Sequence, residues 1–341
     1  MRTLRNAVVV VTGASSGIGR ATALEFAYRD ARVVLAARRA EPLESAAAAC
    51  RAVGAEAVAV PTDVTDEAAV EALARAALDR FGRIDVWVNN VGTGVFGAFT
   101  DAPVALHRKV VEINLIGTMH GCAAVLPVFK RQGGGRLINM VSMGGWSPTP
   151  YAAAYAASKF GLRGFSASLR EELRDQPGIS VSAVFPALVD TPGLQHGANV
   201  SGRAMEPSGP FIAPEEVARV MVRLALRPRD EVAVGWPATA ARVAYALAPG
   251  ATARATGAAM RRFLRNSPAA PRTEGALMAP VPEGVTASGG FRERQGARRR
   301  AGGGGPGLPR LGAGGLAMAG AALILGAELL VGARRRSWTR Y

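Results

Sequence analysis

The stretch that decides the fold is AVVVVTGASSGIG, residues 7–19. Its first half is an apolar, β-branched run, which is typical of a strand buried in a sheet. Its second half, TGASSGIG at 12–19, is a glycine-rich turn that opens an alanine-rich helical pattern. Such a turn lets the backbone approach a pyrophosphate, and the helix N-terminus adds free N–H groups. The stretch therefore predicts a dinucleotide site, with an ordinary tight turn as the alternative.

Short apolar runs continue to alternate with longer helical patterns to about residue 235. Strands that are apolar on both faces and separated by helices indicate a parallel sheet covered on both sides. We predict an α/β fold, a doubly wound Rossmann-type sheet of about seven strands with helices on both faces, plus a C-terminal extension. The predicted strands are 7–11, 32–37, 56–60, 85–90, 136–142, 180–185 and 231–235. The predicted helices are about 17–30, 40–53, 66–81, 103–131, 152–176 and 214–226.

The composition excludes several kinds of site. Hydrophobic residues make up 49% of the 341 residues, which is enough for a substantial core. Cys50 and Cys122 have no metal-like spacing, and the three histidines form no metal-binding motif, so we predict no metal site. The apolar run at the N-terminus is too short for a signal peptide. We therefore expect a cytoplasmic catalytic domain in a reducing compartment.

Charge and composition change after residue 240. The net charge is +15, yet sixteen arginines and only four acidic residues lie from residue 241 onward. We expect a dinucleotide-binding catalytic domain at 1–240 and a basic extension and linker, rich in Pro, Gly and Arg, at 241–310. The pattern at 238–264 predicts a helix broken at Pro249, whereas 266–310 is typical of a flexible linker.

The segment 311–333 is the one candidate for a membrane anchor. It is long and apolar enough to span a bilayer, and Glu328 is its one charged residue. Arginines flank both ends, so the orientation stays open. A docked or peripheral apolar helix and a disordered tail are the alternatives. We predict a C-terminal transmembrane anchor that attaches the catalytic domain to a membrane.

The end of the second predicted strand bears on the choice of cofactor. An acidic residue at this point would hold the ribose hydroxyls of NAD. The chain instead has Ala37 followed by Arg38 and Arg39. Guanidinium groups suit the 2′-phosphate of NADP(H), so NADP(H) is favoured over NADH. Two solvated arginines at a strand end are the alternative.

Five motifs together resemble the short-chain dehydrogenase/reductase family over about residues 5–235. They are TGASSGIG at 12–19, Asp63–Val64, NNVG at 89–92, the pair Asn114 and Ser142, and YAASK at 155–159. Two departures stand out. NNVG replaces the commoner NNAG, and PALVDTP at 186–192 stands where the family often has a Pro-Gly pair.

The resemblance implies the catalytic residues. Tyr155, four residues before Lys159, would be the acid/base, and the lysine ammonium would lower the tyrosine pKa and bind the nicotinamide ribose. Ser142 would hold the substrate oxygen. Asn114 would hold a water that links Lys159 to solvent. Tyr151 lies too far from Lys159 to pair with it, and we expect it to line the substrate pocket or cap the helix.

The resemblance also implies the residues that bind the cofactor. Asp63 and Val64 would contact adenine, Asn89 would steady the sheet, and Gly92 would allow close approach of the cofactor. The predicted cofactor-binding set is Gly13, Ser15, Ser16, Gly17, Ile18, Gly19, Arg38, Arg39, Asp63, Val64, Asn89, Gly92, Tyr155, Lys159, Pro186, Val189 and Thr191.

The predicted activity is the NADP(H)-dependent interconversion of a carbonyl and an alcohol on a small lipophilic molecule. The specificity segment 187–213 has few charges and several prolines and glycines, like a mobile lid over an apolar pocket. The alternative is an NADPH-binding sensor or membrane-associated scaffold without turnover, which the intact Asn-Ser-Tyr-Lys set argues against. The resemblance implies a homodimer or homotetramer through the helices at 103–131 and 152–176. The arginines of the tail lack interleaved aromatic residues, which favours lipid headgroups over nucleic acid.

Overall fold

A computed structural model of the chain describes residues 3–207 and 209–301, and its core is a seven-stranded sheet. The strands of this sheet are β1 Val8–Thr12, β2 Arg32–Ala37, β3 Ala57–Pro61, β4 Val86–Asn89, β6 Gly135–Met140, β7 Ile179–Pro186 and β9 Glu231–Val234. Two-residue strands β5 Val95–Phe96 and β8 Ala198–Asn199 pair separately. The strand order is β3–β2–β1–β4–β6–β7–β9, and every pair is parallel. The predicted Rossmann-type fold class is confirmed, and the predicted strand bounds differ by at most two residues.

Helices cover both faces of the sheet. The described helices are α1 Gly17–Ala27, α2 Ala40–Ala52, α3 Glu67–Phe81, α4 Val104–Val111, α5 Gly117–Gln132, α6 Ala153–Glu172, α7 Gly193–His196, α8 Pro214–Leu226, α9 Trp236–Leu247, α10 Pro249–Asn266 and α11 Phe291–Ala301. On one face α1, α2 and α8 bury Phe26, Leu43 and Met221. On the other, α3 and α5 bury Leu73 and Phe129. Burial of each such side chain contributes about 1.5–3 kcal/mol.

The central strand β1 is buried along its whole length, as the valine run predicts. It pairs with β2 on one side and β4 on the other. The strand order reverses between β1 and β4. In an open parallel sheet, such a reversal leaves a crevice at the carboxyl ends of the strands, where ligands bind. The fold therefore places the end of the TGASSGIG turn at this crevice.

The helix predicted at 103–131 is interrupted. Between α4 and α5 the chain forms a π-helical turn, Glu112–Ile116, with Asn114 buried inside it. A π-turn inserts one extra residue into the helix and is often found at functional sites. The apolar periodicity of the sequence gives no sign of this insertion, because the residues before and after the turn both face the core.

The C-terminal extension packs against the domain as far as the structure describes it. Helix α10 begins at Pro249, where the sequence predicts a break. Residues 267–290, predicted to belong to a flexible linker, contain no long helix or strand, but they bridge to β8 at Asn199. Leu277 is fully buried among apolar side chains near the crevice, so this part of the predicted linker packs against the domain. Pro and Gly prevent regular structure here, but they do not prevent hydrogen bonding to another surface.

One described helical stretch, Val104–Gln132, is long and apolar enough to cross a membrane by length and composition. It comprises α4, the π-turn and α5, and part of its apolar surface packs beside the sheet, with Val125 and Phe129 fully buried. The predicted anchor at 311–333 lies outside the described residues.

Candidate active site

Two adjoining cavities lie at the carboxyl ends of the strands. The first has a volume of about 220 Å³ and the second about 480 Å³. They share lining residues, among them Ile18, Asn90, Gly92 and Thr191. The first is surrounded by most of the predicted cofactor residues, and the second by three of the four predicted catalytic residues, so the two form one cleft with a dinucleotide end and a substrate end.

The glycine-rich turn forms one wall of the dinucleotide end. Gly13 has a φ of 67°, a conformation that favours glycine. A Cβ at Gly19 would lie 2.1 Å from the Gly13 carbonyl oxygen, so α1 can pack against the turn only with glycine at this position. The predicted cofactor residues that line this cavity are Gly13, Ser15, Ser16, Gly17, Ile18, Arg38, Arg39, Asp63, Val64, Gly92 and Thr191.

Two predicted cofactor residues do not line either cavity. Gly19 lies behind the turn, where it permits the close packing just described. Asn89 is buried in the sheet, where its side chain accepts a hydrogen bond from Trp87 at 2.8 Å and donates one to Asn139 at 3.0 Å. Asn89 therefore lies in the sheet, where its contacts agree with its expected steadying role, and it is not part of the cavity wall that the other predicted cofactor residues form. Successive side chains of a strand alternate between faces, and this turns Asn89 away from the cleft.

The neighbouring Asn90, and not Asn89, lies at the cleft, and sequence reasoning missed it. Its Nδ2 donates to the Thr12 carbonyl at 3.1 Å, and its backbone N–H donates to Thr12 Oγ1 at 3.0 Å. Asn90 lines both cavities and ties the end of β4 to the glycine turn. The NN pair of NNVG was the available signal, but only the register of β4 distinguishes its two members.

The predicted catalytic side chains Ser142, Tyr155 and Lys159 meet on the wall of the larger cavity. Lys159 Nζ donates to the Met140 carbonyl at 3.0 Å and lies 5.8 Å from the centre of the Tyr155 ring. Ser142 has a φ of 140°, and its Oγ accepts from the Gly144 N–H at 3.2 Å. A non-glycine residue with such a φ is strained, and strain of this kind concentrates at functional sites.

Burial shifts the pKa values of both Tyr155 and Lys159. Burial raises the pKa of Tyr155, and a hydrogen bond with Ser142 opposes this shift. Burial also lowers the pKa of Lys159 to about 7. The expected lowering of the tyrosine pKa by Lys159 is therefore not found, because burial, the largest cause, raises this pKa.

Asn114 lies beneath the catalytic residues and does not line either cavity. Its Nδ2 donates to the Thr93 carbonyl and to Ser158 Oγ, both at 2.9 Å, and its Oδ1 accepts from the Thr93 N–H at 2.9 Å. A Cβ at Gly92 would lie 3.3 Å from Lys159 Nζ. Asn114 thus fixes the loop after β4, and Gly92 leaves room for the lysine beside it.

Tyr151 has neither of its expected roles. It does not line the substrate cavity, and the helix α6 begins after Ala152 without a side-chain cap. Its φ is 62°, and its carbonyl accepts from the Gly97 N–H at 2.8 Å. The contribution of Tyr151 is therefore a backbone turn that leads into α6.

The substrate end is mostly apolar, and part of its wall comes from the C-terminal extension. The predicted residues Pro186 and Val189 line it, as does Thr191. Trp236 and Pro237, at the start of α9, also line it. The extension adds one face of α10, formed by Thr256, Ala259, Met260 and Phe263. Sequence reasoning missed this contribution, because nothing local links α10 to residues a hundred positions earlier.

The dinucleotide end is covered by residues 273–290, which we call the strap. Arg38 Nη2 donates to the Ala276 carbonyl at 2.6 Å. Arg39 Nη1 donates to the Val281 carbonyl at 2.5 Å and to the Pro282 carbonyl at 3.0 Å. Both arginines also line the cavity beneath, so they face the cavity and hold the strap.

Comparisons with known proteins agree with this arrangement. Residues 7–199 match the family described as short chain dehydrogenase. An uncharacterized oxidoreductase of Bacillus subtilis, YxnA, is 34% identical over 285 residues, which cover 81% of this chain and 79% of that protein.

Solved structures of the same family superpose on the chain. A metagenomic short-chain oxidoreductase in complex with NADP is 34% identical, with a TM-score of 0.59, covering 68% of this chain and 97% of that one. A short-chain dehydrogenase/reductase from Burkholderia phymatum in complex with NAD is 26% identical, with a TM-score of 0.64, covering 80% and 100%. The chain is thus an oxidoreductase that belongs to the short-chain dehydrogenase/reductase family.

Proposed function

We propose that the protein is an NADP(H)-dependent oxidoreductase that interconverts a carbonyl and an alcohol on an apolar small molecule, with Tyr155 as acid/base. The observation that carries this proposal is the meeting of Ser142, Tyr155 and Lys159 on the wall of an apolar cavity that adjoins a dinucleotide cavity. General acid catalysis needs a positioned donor beside the reacting oxygen, and this wall supplies one.

The residues of the cleft have separate tasks in this proposal. The bound nicotinamide supplies or accepts hydride. Ser142 Oγ orients the substrate oxygen, and Tyr155 Oη donates a proton to it, which its raised pKa favours for carbonyl reduction. Lys159 binds the nicotinamide ribose and returns a proton to Tyr155. Asn114 acts as a positioning residue, since its amide holds the Thr93 backbone and Ser158.

The choice of NADP(H) rests on the end of β2. Arg38 and Arg39 line the cavity there, and β2 ends at Ala37 without an acidic residue. An Arg pair can donate several charge-assisted hydrogen bonds to a 2′-phosphate, whereas NAD offers only hydroxyls at this point. The relatives include complexes with NADP and with NAD, so these two arginines are the basis of the assignment.

The choice of an apolar substrate rests on the lining of the larger cavity. Met143, Leu188, Met205 and Phe263 contribute to it together with several prolines.

Assembly as a homodimer or homotetramer and attachment to a membrane through the C-terminus remain part of the proposal. Val104 at the start of α4 and Ile116 at the end of the π-helical turn are exposed, at 71% and 37%, and in this proposal a second copy covers them.

The test is NADPH oxidation by the full chain with a panel of apolar aldehydes, ketones and quinones. Tyr155→Phe should lower kcat by about 10²–10⁴-fold, because the proton donor is lost. NADPH affinity should stay within about threefold. Tyr245→Phe is the matched control, since Tyr245 lies on α9 against Phe160 and outside the cavity.

Two results would contradict the proposal. Equal turnover by wild type and Tyr155→Phe would remove Tyr155 as the acid. Tight NADPH binding without turnover on any substrate of the panel would favour the cofactor-binding sensor, the alternative function that the same cleft could serve.

A further inference from the structure

We propose that the strap, residues 273–290, is the outer wall of the NADP(H) site and closes over the adenosine 2′-phosphate. Arg38 and Arg39 bind both this phosphate and the strap. This inference rests on the proposed function, since it takes NADP(H) as the cofactor. It assigns a binding role to a segment outside the matched family region at 7–199.

The hydrogen bonds of the two arginines leave room for an anion. In their bonds to the strap, Arg38 uses Nη2 and Arg39 uses Nη1, and the partners are backbone carbonyl oxygens. A guanidinium has five N–H donors in a fixed fork. The donors on the remaining nitrogens are therefore available to a phosphate in the cavity that both side chains line.

The charges of the closed strap favour an anion at the same point. Arg38 and Arg39 are neighbours, and carbonyl oxygens carry no net charge to offset their repulsion. Burial and the charge of Arg38 lower the pKa of Arg39, while Glu283 raises it. A phosphate dianion between the two guanidinium groups would offset this repulsion and would thereby stabilise the closed strap.

The strap walls the cavity and does not fill it. Ala276, Pro280 and Val281 line the cavity of about 220 Å³ from the outside. Leu277 is fully buried and anchors the strap beside this wall. A bound dinucleotide would thus lie between the glycine turn and the strap.

Two further contacts determine how the strap opens. The Thr286 carbonyl accepts from the Gly17 N–H at 2.9 Å, an amide that a pyrophosphate would also use. Asp190, 2% exposed, accepts from the Phe291 N–H at 2.9 Å and from Ser288 Oγ at 3.1 Å. A bound pyrophosphate would therefore displace only the Thr286 carbonyl from Gly17, while the arginines hold the middle of the strap and Asp190 keeps its end attached to the segment that carries Thr191.

The first test is hydrogen exchange of residues 273–290 in the full chain, with 2′,5′-ADP and 5′-AMP as probes. We expect 2′,5′-ADP to slow exchange of the strap by at least about fivefold, and 5′-AMP to leave it nearly unchanged, because only the former carries the 2′-phosphate. Unchanged or faster exchange at saturating 2′,5′-ADP would overturn the strap proposal and leave the NADP(H) assignment standing. Failure of 2′,5′-ADP to bind would overturn both.

The second test distinguishes displacement of the strap from the general effects of a glycine-to-alanine substitution. A Cβ at Gly284 would lie 2.3 Å from His196 Nε2, and the residue has a φ of 70°. Gly284→Ala should therefore push the strap off the surface. Gly82→Ala is the matched control, because Gly82 has a φ of 74° and no neighbour within 4 Å of such a Cβ.

The readout is the dissociation rate of NADPH and of NADH, measured by displacement in stopped flow. Gly284→Ala should raise the NADPH rate about tenfold and change the NADH rate by less than about twofold. Asp190→Asn, which replaces a carboxylate acceptor at the other end of the strap, should act in the same direction. NADPH dissociation equal to wild type in both strap variants would overturn the proposal.

Discussion

The cleft has a floor and a cover that differ in origin. The floor is built by residues 8–191, at the ends of the parallel strands, and carries Ser142, Tyr155 and Lys159. The cover consists of α10 and the strap and lies beyond the matched family region, which ends at residue 199. The floor thus holds the residues to which we assign the chemistry. In our proposal, the cover is where this chain adds a choice of substrate and control over access to the cofactor.

The floor and the cover are also each held in place by different interactions. Close packing dominates the floor: a Cβ at Gly145 would lie 2.5 Å from a Val141 side-chain carbon, and one at Gly121 would lie 2.2 Å from Asn89 Oδ1. The strap is held mainly by hydrogen bonds to backbone carbonyls and by the burial of Leu277. Well-packed interiors respond strongly to one added carbon, whereas a hydrogen-bonded cover can lift and return.

The largest expected effect is in the floor, at Gly19. Gly19→Ala places a carbon 2.1 Å from the Gly13 carbonyl oxygen and should lower the free energy of unfolding by about 3 kcal/mol, through strain in the packed turn. Gly164→Ala, in α6 with no neighbour within 4 Å of its Cβ, should be neutral or stabilise by up to about 1 kcal/mol. Urea unfolding of both variants checks this contrast. Equal effects would mean that the floor is not tightly packed at the turn.

The second-largest expected effect is a pH dependence of the free energy of unfolding that Lys159 causes. Burial lowers its pKa in the folded protein from 10.5 to about 7. Between these values the unfolded chain binds a proton that the folded protein does not, so the free energy of unfolding rises with pH, by up to about 1.4 kcal/mol per unit. Below about pH 7 both states are protonated, and this dependence disappears.

Lys159→Met isolates this contribution. The difference in stability between wild type and variant should shift in favour of wild type by about 2 kcal/mol from pH 7 to pH 9. Urea unfolding at both pH values measures it. Parallel pH profiles for the two proteins would show that Lys159 has an ordinary pKa and that the floor is more hydrated than its burial indicates.

The smallest expected effect is in the cover, on α10. Ala259 lines the substrate cavity, whereas its neighbour Ala258 is exposed. Ala259→Phe should lower kcat/KM for bulky apolar ketones by about 5–10-fold, roughly 1 kcal/mol, and should hardly affect small aldehydes. Ala258→Phe is the matched control. Identical substrate profiles for the two variants would mean that α10 takes no part in specificity.

Local patterns in the sequence were enough to predict much of the floor. The valine run and the glycine turn predict β1 and the start of α1, since backbone sterics and burial act over a few residues. Tyr155 and Lys159 lie one helical turn apart on α6, so their shared face follows from helix geometry alone. The alternation of strands and helices likewise predicts the parallel sheet.

The tertiary structure decided what depends on distant contacts. The register of β4 turns Asn90 to the cleft and Asn89 to the core, and desolvation raises the pKa of Tyr155 against the expected direction. No local sequence pattern predicts the contact of the strap with Arg38, because more than two hundred residues separate the two partners. Hydrogen bonding, burial and electrostatics depend on neighbours in space, and the sequence by itself determines only the neighbours along the chain.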